Sequence, residues 1–313
     1  MAERVAIVGA GVSGLTCGVV LAERGFQTTI FAKETGQQTT SGAAAAIWFP
    51  YDAQPAEKVI PWALETYKVL IDLTGDPRSG VSMIDLRQFS RTAGIQIPDW
   101  AIPLGAGAVA TGLRPVFNSG FSLRVPLMDT TIYLDYLAGR FEKAGGEIHA
   151  RVRFEKLEEA DRDFDLVINC AGIGARELVR DTDLEPHRGQ IAIVSKIENL
   201  SCAIVCDDAP LTYAIPRTND CVFGGTNDLS SDLAADPATT KRIIAECSRA
   251  LNTEKPRVLA ERVGLRPFRK SGVRLEREKL RDGRIVIHNY GHGGSGFTLS
   301  WGCAREVLDI ATQ

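Results

Sequence analysis

Arg4-Val5-Ala6-Ile7-Val8-Gly9-Ala10-Gly11-Val12-Ser13-Gly14 is the stretch on which the fold class turns. Arg4 to Val8 is a short run rich in Val and Ile, the composition of a parallel strand buried on both faces. Three glycines follow at G-x-G-x-x-G spacing. The first permits a tight turn, the second lets backbone approach a pyrophosphate, and the third lets a helix pack closely on the strand. A helix is expected next, to about Arg24, with Leu15, Val19 and Ala22 on one face. Gly25 caps its C-terminal end, and Gln27 to Ala32 reads as a second strand. Strand, glycine turn, helix and strand in succession form a dinucleotide-binding βαβ unit. Amides at the helix start face the phosphates, and the positive end of the helix dipole favours them.

An acidic residue for the ribose is expected at the end of the second strand. That position is Ala32, followed by Lys33 and Glu34. Glu34 shares a strand face with Ala32 and is a candidate for the ribose contact, the alternative being a solvated Lys33–Glu34 pair. The glycine motif by itself does not separate NAD from FAD.

The chain has 313 residues, 44% hydrophobic and 24% charged, with a formal net charge of −3. These values exclude disordered, collagen-like and coiled-coil classes. Lys and Arg (36) fall below Asp and Glu (39), so nucleic-acid binding by bulk positive charge is excluded. No apolar run approaches the roughly 20 residues that span a bilayer, and neither a signal peptide nor a C-terminal peroxisomal address is expected. The seven cysteines are scattered, which fits a reducing cytoplasm better than a disulfide framework, although a single disulfide is left open. Cys202 and Cys206 lack the spacing and the second pair of a zinc site.

Further along, helices are expected over Glu57–Leu73 (interrupted by Pro61), Met128–Ala144, Asp236–Leu251 and Thr298–Ala311. Residues 75–128 read as β-rich. Strands are expected at 147–152, 165–169, 190–195, 203–206, 211–215, 221–224 and 284–288. The expected architecture is α/β: a Rossmann-like domain from residues 1–50, 128–185 and 260–313, with an inserted antiparallel β-rich substrate domain from 51–127 and 186–259.

The segment Val286-Ile287-His288-Asn289-Tyr290-Gly291-His292-Gly293-Gly294-Ser295-Gly296-Phe297-Thr298-Leu299-Ser300-Trp301-Gly302 resembles the signature of the D-amino-acid oxidase family, the FAD-dependent enzymes that include D-aspartate oxidase. Gly9–Gly14 fits that family's nucleotide turn, and Thr39-Thr40 with Ala43–Tyr51 is similar to its flavin loop. Asn169-Cys170-Ala171-Gly172 and Arg188-Gly189-Gln190 are similar to its mid-chain motifs. Gly264-Leu265-Arg266-Pro267 fits the stretch that carries the substrate arginine. The resemblance covers nearly the whole chain, most loosely at 75–125 and 195–210. It implies FAD as cofactor, held by Gly9, Ala10, Gly11, Val12, Ser13, Lys33, Glu34, Thr39, Thr40, Ser41, Ala45, Ala46, Ile47, Val152, Cys170, Ala171, Gly172, Arg266, Gly293, Gly294, Ser295, Gly296 and Thr298. His288 and His292 are not expected to bind metal: no carboxylate or thiolate accompanies them, and the intervening glycines suit a surface lined by backbone.

The implied reaction is oxidative deamination of a D-amino acid, by hydride transfer from Cα to flavin N5. Dioxygen is the acceptor, and the products are a 2-oxo acid, ammonia and hydrogen peroxide. Arg266 is the expected carboxylate clamp, since a guanidinium matches a carboxylate with two parallel hydrogen bonds. Tyr213 is expected to bond the same carboxylate, and the Gly294 carbonyl to accept from the amine. Ile47, Phe49, Tyr213 and Ile215 should line an apolar side-chain pocket that favours neutral and hydrophobic substrates. Arg217 falls on the same strand face and is the chief argument for an acidic substrate, with a turn at Pro216 as the alternative that ranks D-aspartate second. Cys206-Asp207-Asp208-Ala209-Pro210 holds no aromatic, so a short or absent lid is expected. The alternatives are a D-aspartate oxidase, a glycine oxidase-like enzyme, an NAD(P)-dependent dehydrogenase, or a flavin-binding protein without turnover. A homodimer is compatible with the sequence; no membrane or nucleic-acid partner is expected.

Overall fold

The computed structural model describes residues 3–110 and 116–313. β1 (Arg4–Val8) lies between two parallel neighbours, which leaves Val5, Ala6 and Ile7 fully buried. α1 (Val12–Ala22) stops short of Gly25, whose φ of +87° turns the chain back into β2 (Gln27–Ala32). α2 (Ala56–Leu73) runs unbroken through Pro61. The expected β-rich stretch forms β3 (Val81–Ser90), β4 (Gly107–Ala108) and β5 (Ser119–Met128), and residues 111–115 within it lie outside the described residues.

α3 (Thr130–Lys143) is capped by Asp129, whose carboxylate accepts from the Thr131 amide at 3.1 Å. β6 (Glu147–Ala150) is shorter than expected, and β7 (Leu166–Asn169) is fully buried. After the single turn α4 (Ala175–Leu178) comes β8 (Leu184–Ser195), which begins six residues earlier than the sequence indicates. β9 (Cys202–Cys206), β10 (Thr212–Pro216), β11 (Asp220–Gly224) and β12 (Asp228–Leu229) follow, then α5 (Pro237–Leu251), which Asp236 caps. The last elements are β13 (Val258–Arg269), β14 (Arg274–Lys279), β15 (Ile285–Tyr290) and α6 (Gly296–Ala311).

Two sheets result. The first has six strands in the order β14-β15-β7-β1-β2-β6, parallel except for its edge strand β14. α6 packs on α1 and α2. The second has nine strands, β12-β8-β11-β10-β9-β3-β5-β4, with β13 lying along β8. It is antiparallel except where β3 meets β9. The α/β class with a β-rich second unit is as expected. Three strands were not foreseen, β12, β13 and β14, and the last two bear on where the chain passes between the units. Residue 260 falls inside β13, which pairs with β8 in the second sheet, so the chain rejoins the first sheet only at β14. Residue 186 likewise falls inside β8.

Candidate active site

A cavity of about 660 Å³ starts at the C-terminal ends of β1, β2, β7 and β15 and reaches the facing surface of the second sheet. This is where ligands enter open parallel sheets.

At the first end the three glycines of the turn differ in what surrounds them. A Cβ on Gly9, whose φ is +109°, would lie 2.4 Å from the Cys170 carbonyl oxygen, and one on Gly14 would lie 1.9 Å from the Gly9 carbonyl oxygen. Both positions are closed by backbone. Around Gly11 the nearest atom is the Ser41 hydroxyl, at 3.1 Å from such a Cβ, and this glycine lines the cavity. The Val12 amide donates to Ser41 Oγ at 3.0 Å. No side chain caps α1 and no acidic residue stands in its first turn, so its N-terminal amides suit an anionic group. A pyrophosphate-bearing dinucleotide such as FAD fits this donor set.

Ala10, Ser13, Thr39, Thr40, Ala45, Ala46, Val152, Ala171, Gly172, Gly293 and Gly296 also line the cavity. Lys33 and Glu34 line it while forming an exposed ion pair at 3.2 Å, so the two readings of that pair coexist. Cys170 lines the wall, and contact with Cys17 together with burial pushes its thiol well above the usual range. Cys17, Cys170, Cys206, Cys221, Cys247 and Cys303 are free and buried, which leaves no pair for the single disulfide left open by the sequence. Ser295 is fully buried, and its hydroxyl serves the Tyr51 backbone, accepting from the amide at 2.7 Å and donating to the carbonyl. Thr298 lines the cavity, but its hydroxyl is engaged with Phe49, at 3.1 Å from the amide and 3.0 Å from the carbonyl. His292 bonds Asn289 at 3.0 Å, and His288 lies between Asn169 and Glu278.

At the other end Arg266 stands on β13. Its Nη1 donates to the Thr226 carbonyl at 2.8 Å and to Asn227 Oδ1 at 3.2 Å. The guanidinium lies against Gly189 on the neighbouring strand, where a Cβ would come within 2.5 Å of it. Tyr213 on β10 packs its ring over Gly224 and Gly225. Burial pushes its phenol up, and the adjacent Arg266 pulls the other way. Ile47, Phe49 and Ile215 complete an apolar wall. Gly294 lies under the Tyr51 ring, where a Cβ would meet Cδ1 at 2.5 Å.

Arg217 stands away from the pocket. β10 ends at Pro216, and Arg217 turns back in the hairpin to grip Asp220 with two hydrogen bonds of 2.7 and 2.8 Å. It is 7% exposed, also bonds Thr130, and does not line the cavity. The argument it carried for an acidic substrate is withdrawn. The connection between β9 and β10 is short, and Asp208 fastens it by accepting from the Ser90 hydroxyl at 2.8 Å.

Several residues at this end were not singled out from the sequence. Tyr51 lines the cavity, and its phenol is pushed up to about 12 by burial, then by Asp207 and Asp52. Asp52, with φ of +55°, faces His187 at 3.7 Å, and burial raises its carboxyl. Gln88, Asp207 and Gly189 also line the cavity. The aromatic after Pro50 and the Arg188-Gly189-Gln190 motif were the available signals; Gln88 and Asp207 come in from other segments of the second sheet.

A glycine-lined dinucleotide cradle joined to a pocket with an anchored arginine and tyrosine defines a flavin-type oxidoreductase. Residues 4–310 match the family of FAD dependent oxidoreductases, and the chain belongs to it, with FAD as its cofactor. The chain is 41% identical to a D-amino-acid oxidase of Rubrobacter xylanophilus, over 98% of this chain and 95% of that one. It is 36% identical to a D-amino-acid oxidase of Dictyostelium discoideum, over 98% and 91% of the two chains, and 32% identical to a D-aspartate oxidase of Homo sapiens, over 99% and 95%. Glycine oxidase from Geobacillus kaustophilus shares the fold, with a TM-score of 0.83 at 18% identity over 99% and 95% of the chains.

Proposed function

We propose that this protein is an FAD-dependent D-amino-acid oxidase that converts D-amino acids and dioxygen to 2-oxo acids, ammonia and hydrogen peroxide, with neutral and hydrophobic side chains readily admitted. The observation that carries the reading is Arg266, held against Gly189 by Thr226 and Asn227 and aimed into a cavity continuous with the glycine cradle. FAD, when bound, supplies the hydride acceptor and passes the electrons to dioxygen.

The chain's own residues position the substrate. Arg266 holds the carboxylate and Tyr213 supports it from the neighbouring wall, each through hydrogen bonds directed at one end of the molecule. The Gly294 carbonyl accepts from the amine. Ile47, Phe49 and Ile215 enclose the side chain and exclude water. With carboxylate and side chain both fixed, only one enantiomer turns its Cα hydrogen toward the cofactor side, so chirality follows from geometry. Rate then comes from positioning, and no protein base is invoked. The scattered, buried cysteines, which form no disulfide framework, support a reducing compartment such as the cytoplasm. No helix among the described residues is long and apolar enough to cross a membrane. A homodimer is offered for test by light scattering.

Anaerobic mixing of the holoenzyme with D-alanine, D-valine, D-phenylalanine, D-aspartate, glycine and L-alanine tests the reading. Rapid bleaching of the flavin band by the neutral D-amino acids, with L-alanine inert, is expected. Bleaching by glycine alone, or by none of them, would overturn it.

A further inference from the structure

Tyr51 lines the cavity, yet the contacts assigned to the substrate carboxylate and amine leave its hydroxyl without a part. The residue is fixed at three points. Its backbone is clamped by the Ser295 hydroxyl, which accepts from the amide at 2.7 Å and donates to the carbonyl. Its ring covers Gly294, where a Cβ would lie 2.5 Å from Cδ1. Its phenol oxygen, at the far end of the ring, accepts from Asn227 Nδ2 at 3.4 Å. The ring therefore runs from the expected amine acceptor toward Asn227, which is bonded to Arg266, and its hydroxyl lies on the arginine's side.

Hydrogen-bond direction along this chain is dictated by Arg266. A guanidinium only donates, so the Asn227 atom that meets Nη1 at 3.2 Å must be Oδ1. The other arm of the carboxamide is then Nδ2, which only donates. Tyr51 must accept from it, so the phenolic hydrogen is not used there. Burial, then Asp207 and Asp52, push the phenol up to about 12, which keeps that hydrogen in place at neutral pH. Both acids act on the phenol through charge alone, and neither accepts its hydrogen among the described residues. An unused donor thus stands beside the carboxylate clamp in the cavity wall. A carboxylate offers roughly four acceptor sites, and the Arg266 fork together with Tyr213 leaves one of them unfilled.

We propose that Tyr51 is a further substrate-binding residue that donates its phenolic hydrogen to the substrate carboxylate, and that Asn227 is the positioning residue that holds this donor in register with Arg266. The proposal rests on the oxidase reading and completes its carboxylate site. One carboxamide serves both side chains: its oxygen steadies the guanidinium, and its amino group turns the phenol so that the hydrogen points to the cavity.

The test titrates the holoenzyme with benzoate, which carries a carboxylate but no amine, and follows the flavin band; KM and kcat for D-alanine come from peroxide release. The native protein is compared with Tyr51→Phe, Asn227→Asp and the double variant. Tyr51→Phe keeps the ring over Gly294 and should raise the benzoate Kd and the D-alanine KM about tenfold, the worth of one hydrogen bond to a charged group, with flavin content near native. Asn227→Asp still accepts from Arg266 but no longer donates, so the phenol turns its hydrogen to the new carboxylate and away from the substrate. The added charge also weakens Arg266 whatever the phenol does, and the double variant separates the two effects. The loss caused by Asn227→Asp should be about tenfold smaller in the Tyr51→Phe background. A benzoate Kd within threefold of native in Tyr51→Phe overturns the proposal; if only kcat falls, the phenol serves the amine. Loss of flavin in Tyr51→Phe also overturns it, because packing would then account for the residue. So does an Asn227→Asp loss that agrees within threefold in both backgrounds, because Asn227 would then act through Arg266 alone. If the native holoenzyme oxidises D-alanine and binds benzoate while one of these results holds, only this proposal fails; if it does neither, the oxidase reading fails and takes this one with it.

Discussion

Replacing Gly189 with alanine probes the arginine clamp without touching the arginine. Gly189 lies within β8, opposite Gly264 of β13, and is not among the glycines of positive φ, so alanine suits its backbone. The new Cβ would stand 2.5 to 2.6 Å from Nη1, Cζ and Nη2 of Arg266. Ordinary contact is about 3.5 Å, so the guanidinium must retreat by roughly 1 Å. It is not free to do so, because Thr226 and Asn227 hold Nη1 at 2.8 and 3.2 Å. A misplacement of about 1 Å in a positioning group costs on the order of a hundredfold, about 2.7 kcal/mol of transition-state stabilisation. The assay is kcat/KM for D-alanine by peroxide release, with flavin content read from the visible band and Tm from a thermal melt. A fall of that size with flavin and Tm near native is expected. If kcat/KM stays within threefold of native while Arg266→Ala is severely impaired, the guanidinium tolerates displacement and positioning by Gly189 is refuted.

Arg266→Ala should lower kcat/KM about a hundredfold, on the order of 3 kcal/mol, with FAD retained; near-normal turnover would mean that another group holds the carboxylate. Tyr213→Phe should raise KM several-fold with kcat largely kept, and an unchanged KM would remove the phenol from the site. In Gly14→Ala the new Cβ would lie 1.9 Å from a backbone oxygen of the same turn, so the purified protein should carry little flavin or melt earlier; full flavin occupancy with native Tm would contradict that geometry. Burial lowers the His292 pKa from 6.5 to about 4. The folded state therefore binds fewer protons than the unfolded chain between these values, and stability falls as pH drops from 6.5 to 4, by at most about 3 kcal/mol. Denaturant melts of the native protein and His292→Gln should show a shallower acid limb in the variant; parallel limbs would rule the histidine out as a source.

The opening βαβ unit was legible because its signals are local. An apolar run, three glycines and a periodic helix each reflect constraints within a few residues. β13 was hidden for the opposite reason: Val258–Arg269 is mostly half-exposed and lines a cavity, so it shows no apolar alternation. β14 is an edge strand in which only Leu275 is buried, and its charged residues read as a solvated surface. For Arg217, alternation placed the side chain on the pocket face and Pro216 offered a turn before it; the chain takes the turn, toward Asp220. The bond from the Ser295 hydroxyl to the Tyr51 backbone was not legible, because a position beside glycines does not say which backbone a hydroxyl serves. Tyr51, Gln88, Asp207 and Gly189 meet only after segments far apart in the chain have paired, and no local pattern encodes that convergence.

The strand order also bears on how the chain is made. β7 sits between β1 and β15, and β15 comes from residues 285–290, so the long edge of β7 stays bare until almost the whole chain has left the ribosome. β8 is in the same position, because its partner β13 is translated more than 60 residues later. Two unpaired hydrogen-bonding edges held open through most of translation are the kind of surface that nascent chains aggregate through and that chaperones shield.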